Sequence, residues 1–200
     1  MKIFLIRHGQ TVWNEQVRIQ GRADIPLNDK GQQQLSTTGQ ILAGFGEPID
    51  LIITSPLQRA RKSAQIVAEC VGYDVEKIVV DERLTELSSG MAEGLTGKER
   101  DEKYPNGVPG METVEEVSKR ARNALEEYLD TYAGKNLVII GHVGIIKVII
   151  EVLTKGAIPY SYSNIPIGNG AIVQLEYDHH LESISWYDFE AGCMKPVGWA

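Results

Sequence analysis

The sequence predicts an α/β sandwich built on a mostly parallel sheet with an antiparallel edge. Three observations carry that expectation. Short apolar runs alternate with longer stretches of helical periodicity, the order that builds parallel strands joined by crossover helices. The runs are rich in β-branched residues, which suits strands buried on both faces. Late in the chain, two alternating segments flank an Asp-His-His turn and read as a hairpin, hence the antiparallel edge.

The first strand is Ile3 to Ile6, followed at once by Arg7-His8-Gly9. Thr11 to Ile25 reads as irregular and polar. Asn28 is a good N-cap for a helix that carries Leu35, Ile41 and Leu42 and stops at Gly44 and Gly46. Asp50 to Thr54 is the second strand. Ser55-Pro56 then reads as the cap and first position of a helix that runs to about Cys70 and closes at Gly72. Lys77 to Val80 is the third strand. Asp81 to Gly110 is rich in glycine and proline without sustained periodicity, as expected of a loop or lid over a site. An amphipathic helix is predicted over about Thr113 to Ala133, with Val114, Val117, Ala121, Ala124, Leu125 and Leu129 on one side. Leu137 to Ile140 is the fourth strand, ending in Gly141-His142, and Val143 to Leu153 is a helix. Residues 156 to 170 form a polar connection, Ala171 to Tyr177 and Leu181 to Asp188 form the hairpin, and the tail after Phe189 has no clear element. The expected organisation is one domain over residues 1–200, with a short lid at about 88–110.

Composition narrows the function. The 200 residues are 42% hydrophobic and 24% charged, an ordinary globular balance. A net charge of −7 argues against nucleic acid as partner, which needs a basic face. It leaves room for a small anionic substrate, because a few arginines can make one crevice positive. Cys70 and Cys193 are far apart and in no C-x-x-C, which suits a reducing cytoplasm and offers no metal or disulfide framework. No apolar run reaches the roughly 18 residues of a membrane span, and Arg7 interrupts the first run too early for a signal-peptide core. The expectation is a cytoplasmic protein without a membrane partner.

The polar chemistry sits at strand ends. Strand one delivers Arg7 and His8. Strand two leads into a helix carrying Arg59. The third is followed by a segment holding Glu82 and Glu86, and strand four ends at His142. Parallel strands present their carboxyl ends on one edge, where ligands of open α/β sheets bind. Two arginines, two histidines and a carboxylate therefore converge there. Arginine forks and helix N-termini favour phosphate. A neutral imidazole is a nucleophile, the cations neutralise the phosphoryl group, and a carboxylic acid serves the leaving oxygen. No metal and no cofactor are needed for that chemistry. His179 and His180 read as residues of the hairpin turn, Gly168-Asn169-Gly170 as a turn, and Arg18 and Arg22 as exposed loop charges. No P-loop motif is present.

Arg7-His8-Gly9 with Thr11 and Asn14, Ser55-Pro56-Leu57-Gln58-Arg59-Ala60, Leu84-Thr85-Glu86-Leu87 and Gly141-His142 together resemble the histidine phosphatase superfamily, in its phosphoglycerate mutase-like branch. The resemblance spans residues 2 to about 154. It implies a three-layer αβα sandwich and a phosphohistidine formed on His8. It also implies a phosphate pocket completed by Arg7, Arg59 and His142, an amide lent by Asn14, and Glu86 as proton donor and then base. Gln20 and Gly21 match a position near the substrate, and the backbone N–H of Val143 stands beside the second histidine.

Two departures stand out. Gly141 occupies a position where relatives often carry Ser or Thr, and the Gly-x-Trp-x-Gly stretch of the family appears here as Gly90-Met91-Ala92-Glu93-Gly94. The segment from Gly94 to Gly110 is shorter than in the family's mutases. That favours a metal-independent phosphatase acting on a small phosphorylated metabolite over a phosphomutase, with a catalytically dead phosphate-binding module as the third reading. The tail with Trp199 fits either a cover over the site or a homodimer contact.

Overall fold

The computed structural model describes residues 1–161 and 164–198. All its strands join one seven-stranded sheet: β1 (Lys2–Arg7), β2 (Leu51–Thr54), β3 (Val79–Val80), β4 (Leu137–Gly141), β5 (Ile172–Asp178), β6 (His180–Asp188) and β7 (Cys193–Pro196). The order is β3-β2-β4-β1-β5-β6-β7. The first four are mutually parallel, and β5, β6 and β7 continue antiparallel from β1.

The helices are α1 (Val12–Glu15), α2 (Asp29–Gly44), α3 (Gln58–Val71), α4 (Gly97–Lys103), α5 (Val114–Thr131) and α6 (Val143–Leu153). Side chains of β1 alternate between two cores, as the pleat requires. Ile3 and Leu5 pack with α5 and α6, whereas Phe4 and Ile6 pack with α2 and α3. The result is the three-layer αβα sandwich. Among the described residues, no helix is long and apolar enough to cross a membrane.

Local chemistry explains the boundaries. Asn28 caps α2 by accepting from the Gly31 amide, and Gly72 ends α3 in the left-handed region at φ 70°. Thr113 and Glu116 form a capping box at the start of α5. That helix buries Val117, Ala121, Ala124, Leu125 and Tyr128, while Val114 in its first turn is exposed and does not join the apolar face.

Several expectations need correction. Ser55 is not the cap of α3 and Pro56 is not in its first turn. The helix starts at Gln58, whose backbone N–H donates to Asp24 Oδ1 at 2.7 Å, and the Ser55 hydroxyl is engaged with His142 instead. The third strand shrinks to Val79–Val80, because Val75–Lys77 forms a 3₁₀ turn held by the Asp74 carboxylate. The polar segment after β1 contains the short helix α1, capped reciprocally by Thr11 and Asn14. The 88–110 segment contains a 3₁₀ turn at Gly90–Ala92 and α4, which starts on a Thr96–Glu99 capping box. The tail folds back as β7. Asp188 Oδ1 accepts the amides of Glu190 and Ala191, turning the chain so that Cys193 pairs with Asp188. The expectation for Trp199 lies outside the described residues.

Register positions the site. Arg7 pairs with Gly141, and Thr54 pairs with Ile140. The residues following all three strands therefore emerge together. The His8 amide donates to Gly141 O at 2.9 Å, and the Ser55 amide to Ile140 O at 3.2 Å.

Candidate active site

A cavity of about 290 Å³ opens at this edge. Arg7, His8, Asn14, Gln20, Gly21, Arg59, Glu86 and Val143 all line it. The His142 ring stands 5.1 Å from the His8 ring, centroid to centroid, and is fully buried. Thus the residues singled out at successive strand ends meet in one place. Glu82 does not; it is exposed in the 3₁₀ turn Glu82–Leu84. Arg22 lies outside the cavity lining, whereas Arg18 stands at its rim with one nitrogen on Gly94 O at 2.6 Å.

His8 is 3% exposed, and its Nδ1 lies 2.7 Å from the carbonyl oxygen of Gly9. A carbonyl can only accept, so Nδ1 carries the proton and Nε2 keeps its lone pair. Burial, with the charges of Arg59 and Arg7 added, holds the His8 pKa well below 6.5, so the ring is neutral at pH 7. The loop that fixes this geometry touches α2 backbone to backbone. A Cβ on Gly9 would stand 2.3 Å from Gly31 O, and one on Gly31 would stand 2.1 Å from Gln10 O.

The two arginines are anchored by main-chain carbonyls rather than by carboxylates. Arg7 Nη1 donates to Ile167 O at 2.8 Å; Arg59 Nη1 and Nη2 donate to Ala23 O at 2.6 Å and Gly21 O at 2.7 Å. Both therefore keep an unneutralised charge beside His8. Burial lowers the pKa of Arg7 and pulls that of Arg59 down to about 10, leaving Arg59 charged at pH 7. The Nε atoms of Arg7 and Arg59 and the Nδ1 of His142 are buried without partners among the described residues. A buried unpaired polar group costs about 1–3 kcal/mol. The charged guanidinium groups of Arg7 and Arg59, both lining the cavity, fit a polyoxygen anion such as a phosphoryl group.

His142 is held from the other side. Its Nε2 lies 2.8 Å from Ser55 Oγ, which also accepts the Leu57 amide at 3.4 Å. In the tautomer in which the Ser55 hydroxyl donates to Nε2, the proton of the ring sits on Nδ1. Burial is the main reason its pKa is also well below 6.5, with Arg59 adding to it.

Asn14 Oδ1 accepts from the Thr11 amide and from Asn169 Nδ2, so its own NH₂ group is left for the cavity. Gln20 behaves alike: its Oε1 accepts from the Thr11 hydroxyl at 2.9 Å.

Glu86 sits at the N-terminus of α6. Its carboxyl accepts the amides of Leu87 (3.0 Å), Gly144 (3.2 Å) and Ile145 (3.3 Å). Those bonds and both arginines favour the carboxylate, but burial outweighs them and raises its pKa above 4.5. The approach depends on Gly144, where a Cβ would meet Glu86 Oε1 at 2.5 Å and Leu87 Cδ1 at 2.6 Å.

Four participants escaped the sequence reading: Ser55, Gly144, Tyr160 and Asn169. Tyr160 and Gly144 line the cavity. Asn169 Nδ2 bonds the His8 carbonyl at 3.1 Å as well as Asn14. A signal for Asn169 was present. Once β5 runs antiparallel to β1, with Ile6 opposite Ile172, the residues before β5 must land beside His8. The position of the missing family tryptophan is filled by Ala92, which is buried, and the Trp13 ring packs against Gly94.

This geometry agrees with comparison to known proteins. Residues 3–189 match the model of the histidine phosphatase superfamily (branch 1). The chain belongs to that superfamily. Among curated relatives it is 37% identical over 155 residues to an uncharacterized phosphatase, PhoE, of Bacillus subtilis, covering 77% of this chain and 78% of that one. It is 32% identical over 189 residues to a probable phosphoglycerate mutase, GpmB, of Cronobacter sakazakii, covering 88% and 85%.

Among solved structures, a mycobacterial glucosyl-3-phosphoglycerate phosphatase complexed with VO3 superposes with a TM-score of 0.79 at 25% identity, covering 99% of this chain and 98% of that one. A mutant phosphoserine phosphatase from Entamoeba histolytica, in complex with phosphoserine, gives 0.74 at 30% identity, covering 92% and 95%. Superfamily relatives thus carry both phosphatase and mutase names.

Proposed function

We propose that the protein is a phosphatase that hydrolyses small-molecule phosphate monoesters through a phosphohistidine on His8, without a metal ion. The observation that carries this reading is the state of His8: neutral, its Nδ1–H committed to Gly9 O, its ring lining the cavity with two arginines that have no carboxylate ion-pair partner among the described residues. In the first step His8 Nε2 attacks phosphorus, the N–P bond forms, and the ester P–O bond breaks. The proton of the Glu86 carboxyl goes to the leaving oxygen, giving the alcohol. In the second step water attacks phosphorus and passes a proton to the Glu86 carboxylate. The N–P bond breaks and phosphate leaves. Arg7, Arg59, His142 and the Asn14 amide hold the phosphoryl oxygens while charge shifts among them.

A phosphomutase would share every group and return the phosphoryl to an organic acceptor, and the relatives named as probable mutases keep that reading in view. The short 88–110 segment, stiffened by α4, favours water as acceptor. A panel of metabolite monophosphates, assayed for phosphate release and for isomerisation with and without EDTA, separates the two. Release unaffected by EDTA is expected. Isomerisation without release would reject hydrolysis, and loss of activity in EDTA would reject metal independence.

A further inference from the structure

The Glu86 carboxyl is held by the start of α6, but its main chain is held by something else. Two arginines from separate segments, joined by one carboxylate from a third, converge on Glu86 O. Arg22 belongs to the loop after α1. Glu112 closes the lid segment. Arg120 lies on α5. The Glu112 carboxylate takes Arg120 on both oxygens, Nε to Oε1 at 3.0 Å and Nη2 to Oε2 at 3.1 Å, the bidentate geometry that fixes a guanidinium in plane. Arg22 Nη2 reaches the same Oε2 at 3.0 Å, and the Ser88 amide reaches it at 3.2 Å.

The two arginines so aligned then turn a second donor to one acceptor. Arg22 Nε lies 3.2 Å, and Arg120 Nη2 3.3 Å, from the carbonyl oxygen of Glu86. Arg120 Nη1 also holds Arg83 O at 2.6 Å, three residues upstream.

Glu112 and Arg120 are mostly buried, with side-chain exposures of 12% and 17%, so the pair is not an ordinary surface bridge. The Glu112 main chain is pinned as well, its amide donating to Ser88 O at 2.9 Å. Every arm of this cluster ends on the backbone between Arg83 and Ser88, the stretch that carries Glu86.

We propose that Glu112 is a positioning residue for Glu86, acting through Arg22 and Arg120 to fix the main chain from which the proton donor reaches the ester oxygen. The inference rests on the reading of Glu86 as proton donor. Glu112 does not line the cavity; removing its charge leaves two guanidiniums without their common partner and frees the Glu86 carbonyl to shift. A displacement of about 1 Å at a catalytic group costs on the order of a hundredfold in rate.

The leaving group supplies the test. An alkyl phosphate needs the Glu86 proton to depart; p-nitrophenyl phosphate, with an acidic leaving phenol, does not. For Glu112→Gln, single-turnover phosphorylation of His8 by an alkyl monophosphate is expected to slow about 10- to 100-fold. With p-nitrophenyl phosphate the p-nitrophenol burst should stay within about threefold of wild type, and phosphohistidine should accumulate because the water step also needs Glu86. Arg22→Gln removes only the outer arm and keeps the Glu112–Arg120 pair, so it serves if Glu112→Gln does not fold. It is expected to slow the alkyl ester about 3- to 10-fold and the nitrophenyl burst hardly at all.

Equal slowing of both esters, or of neither, in the folded variants would overturn the positioning role. Wild-type protein that forms no phosphohistidine from either ester would instead reject the His8 reading, leaving Glu112 aside.

Discussion

At the scale of the residue, burial is the instrument that sets each group's protonation state. His8 and His142 are kept neutral, Glu86 is pushed toward its acid form, and Arg59 stays charged despite its depressed pKa of about 10. The proposed phosphorylation of His8 needs a neutral imidazole and a protonated Glu86 together. The rate with an alkyl ester should therefore fall on the acid side only well below pH 6.5, where His8 takes up a proton. It should fall on the basic side as pH rises through the raised Glu86 value. Glu86→Gln is expected to lower kcat/KM on such esters about 10²- to 10⁴-fold, the usual worth of a general acid, and to abolish the basic limb of what remains. Glu82→Gln, at an exposed position, is expected to keep both rate and profile. The opposite pattern in a pH–rate series would move the acid to Glu82. Arg7, His8 and His142 were legible because each follows a buried run directly, whereas Arg59 and Glu86 were singled out by the motifs that resemble the family. Ser55 was not, since Ser before Pro reads equally well as a helix cap until the register of β2 against β4 brings it to His142.

At the scale of the element, the site depends on close approach where strand ends meet helix starts. The N-terminus of α6 holds the Glu86 carboxyl with two of its first amides, which only glycine at 144 permits. Gly144→Ala is expected to displace Glu86 and lower turnover of an alkyl monophosphate about tenfold or more, against about 1–3 kcal/mol in stability from overpacking. Steady-state kinetics beside a denaturant titration measure both; full turnover with a normal midpoint would contradict the close contact. Elements with a periodic apolar face, such as α5, or with a clear cap, such as α2, could be read from the chain. Elements held by other elements could not. Cys193–Pro196, with Lys and Pro in four residues, becomes a strand only against β6, whereas the third strand was read over Lys77–Val80 and only its extent, Val79–Val80, depends on pairing with β2.

At the scale of the whole molecule, the parallel strands β2, β4 and β1 are sealed between two helical layers, and this rigid slab aligns their carboxyl ends. Ile139, in the central strand β4, is 1% exposed, whereas Val79 on the sheet edge is 38% exposed. Ile139→Ala is expected to cost about 2–5 kcal/mol, and Val79→Ala about 0.5 kcal/mol or less. Equal costs in equilibrium unfolding would contradict the strand order. The alternation of strands and helices made the layers readable; the contacts of Glu112 and Arg120 with the backbone around Glu86 join segments too distant in sequence for any local pattern to reveal. All of this architecture converges on one nitrogen. The most direct test is to react the protein with a phosphate-labelled monoester, quench it, and locate the label. Label on His8 in wild-type protein, acid-labile and absent from His8→Ala, is the expected result. Phosphate release with no labelled protein at any time, or undiminished labelling and release in His8→Ala, would contradict the account.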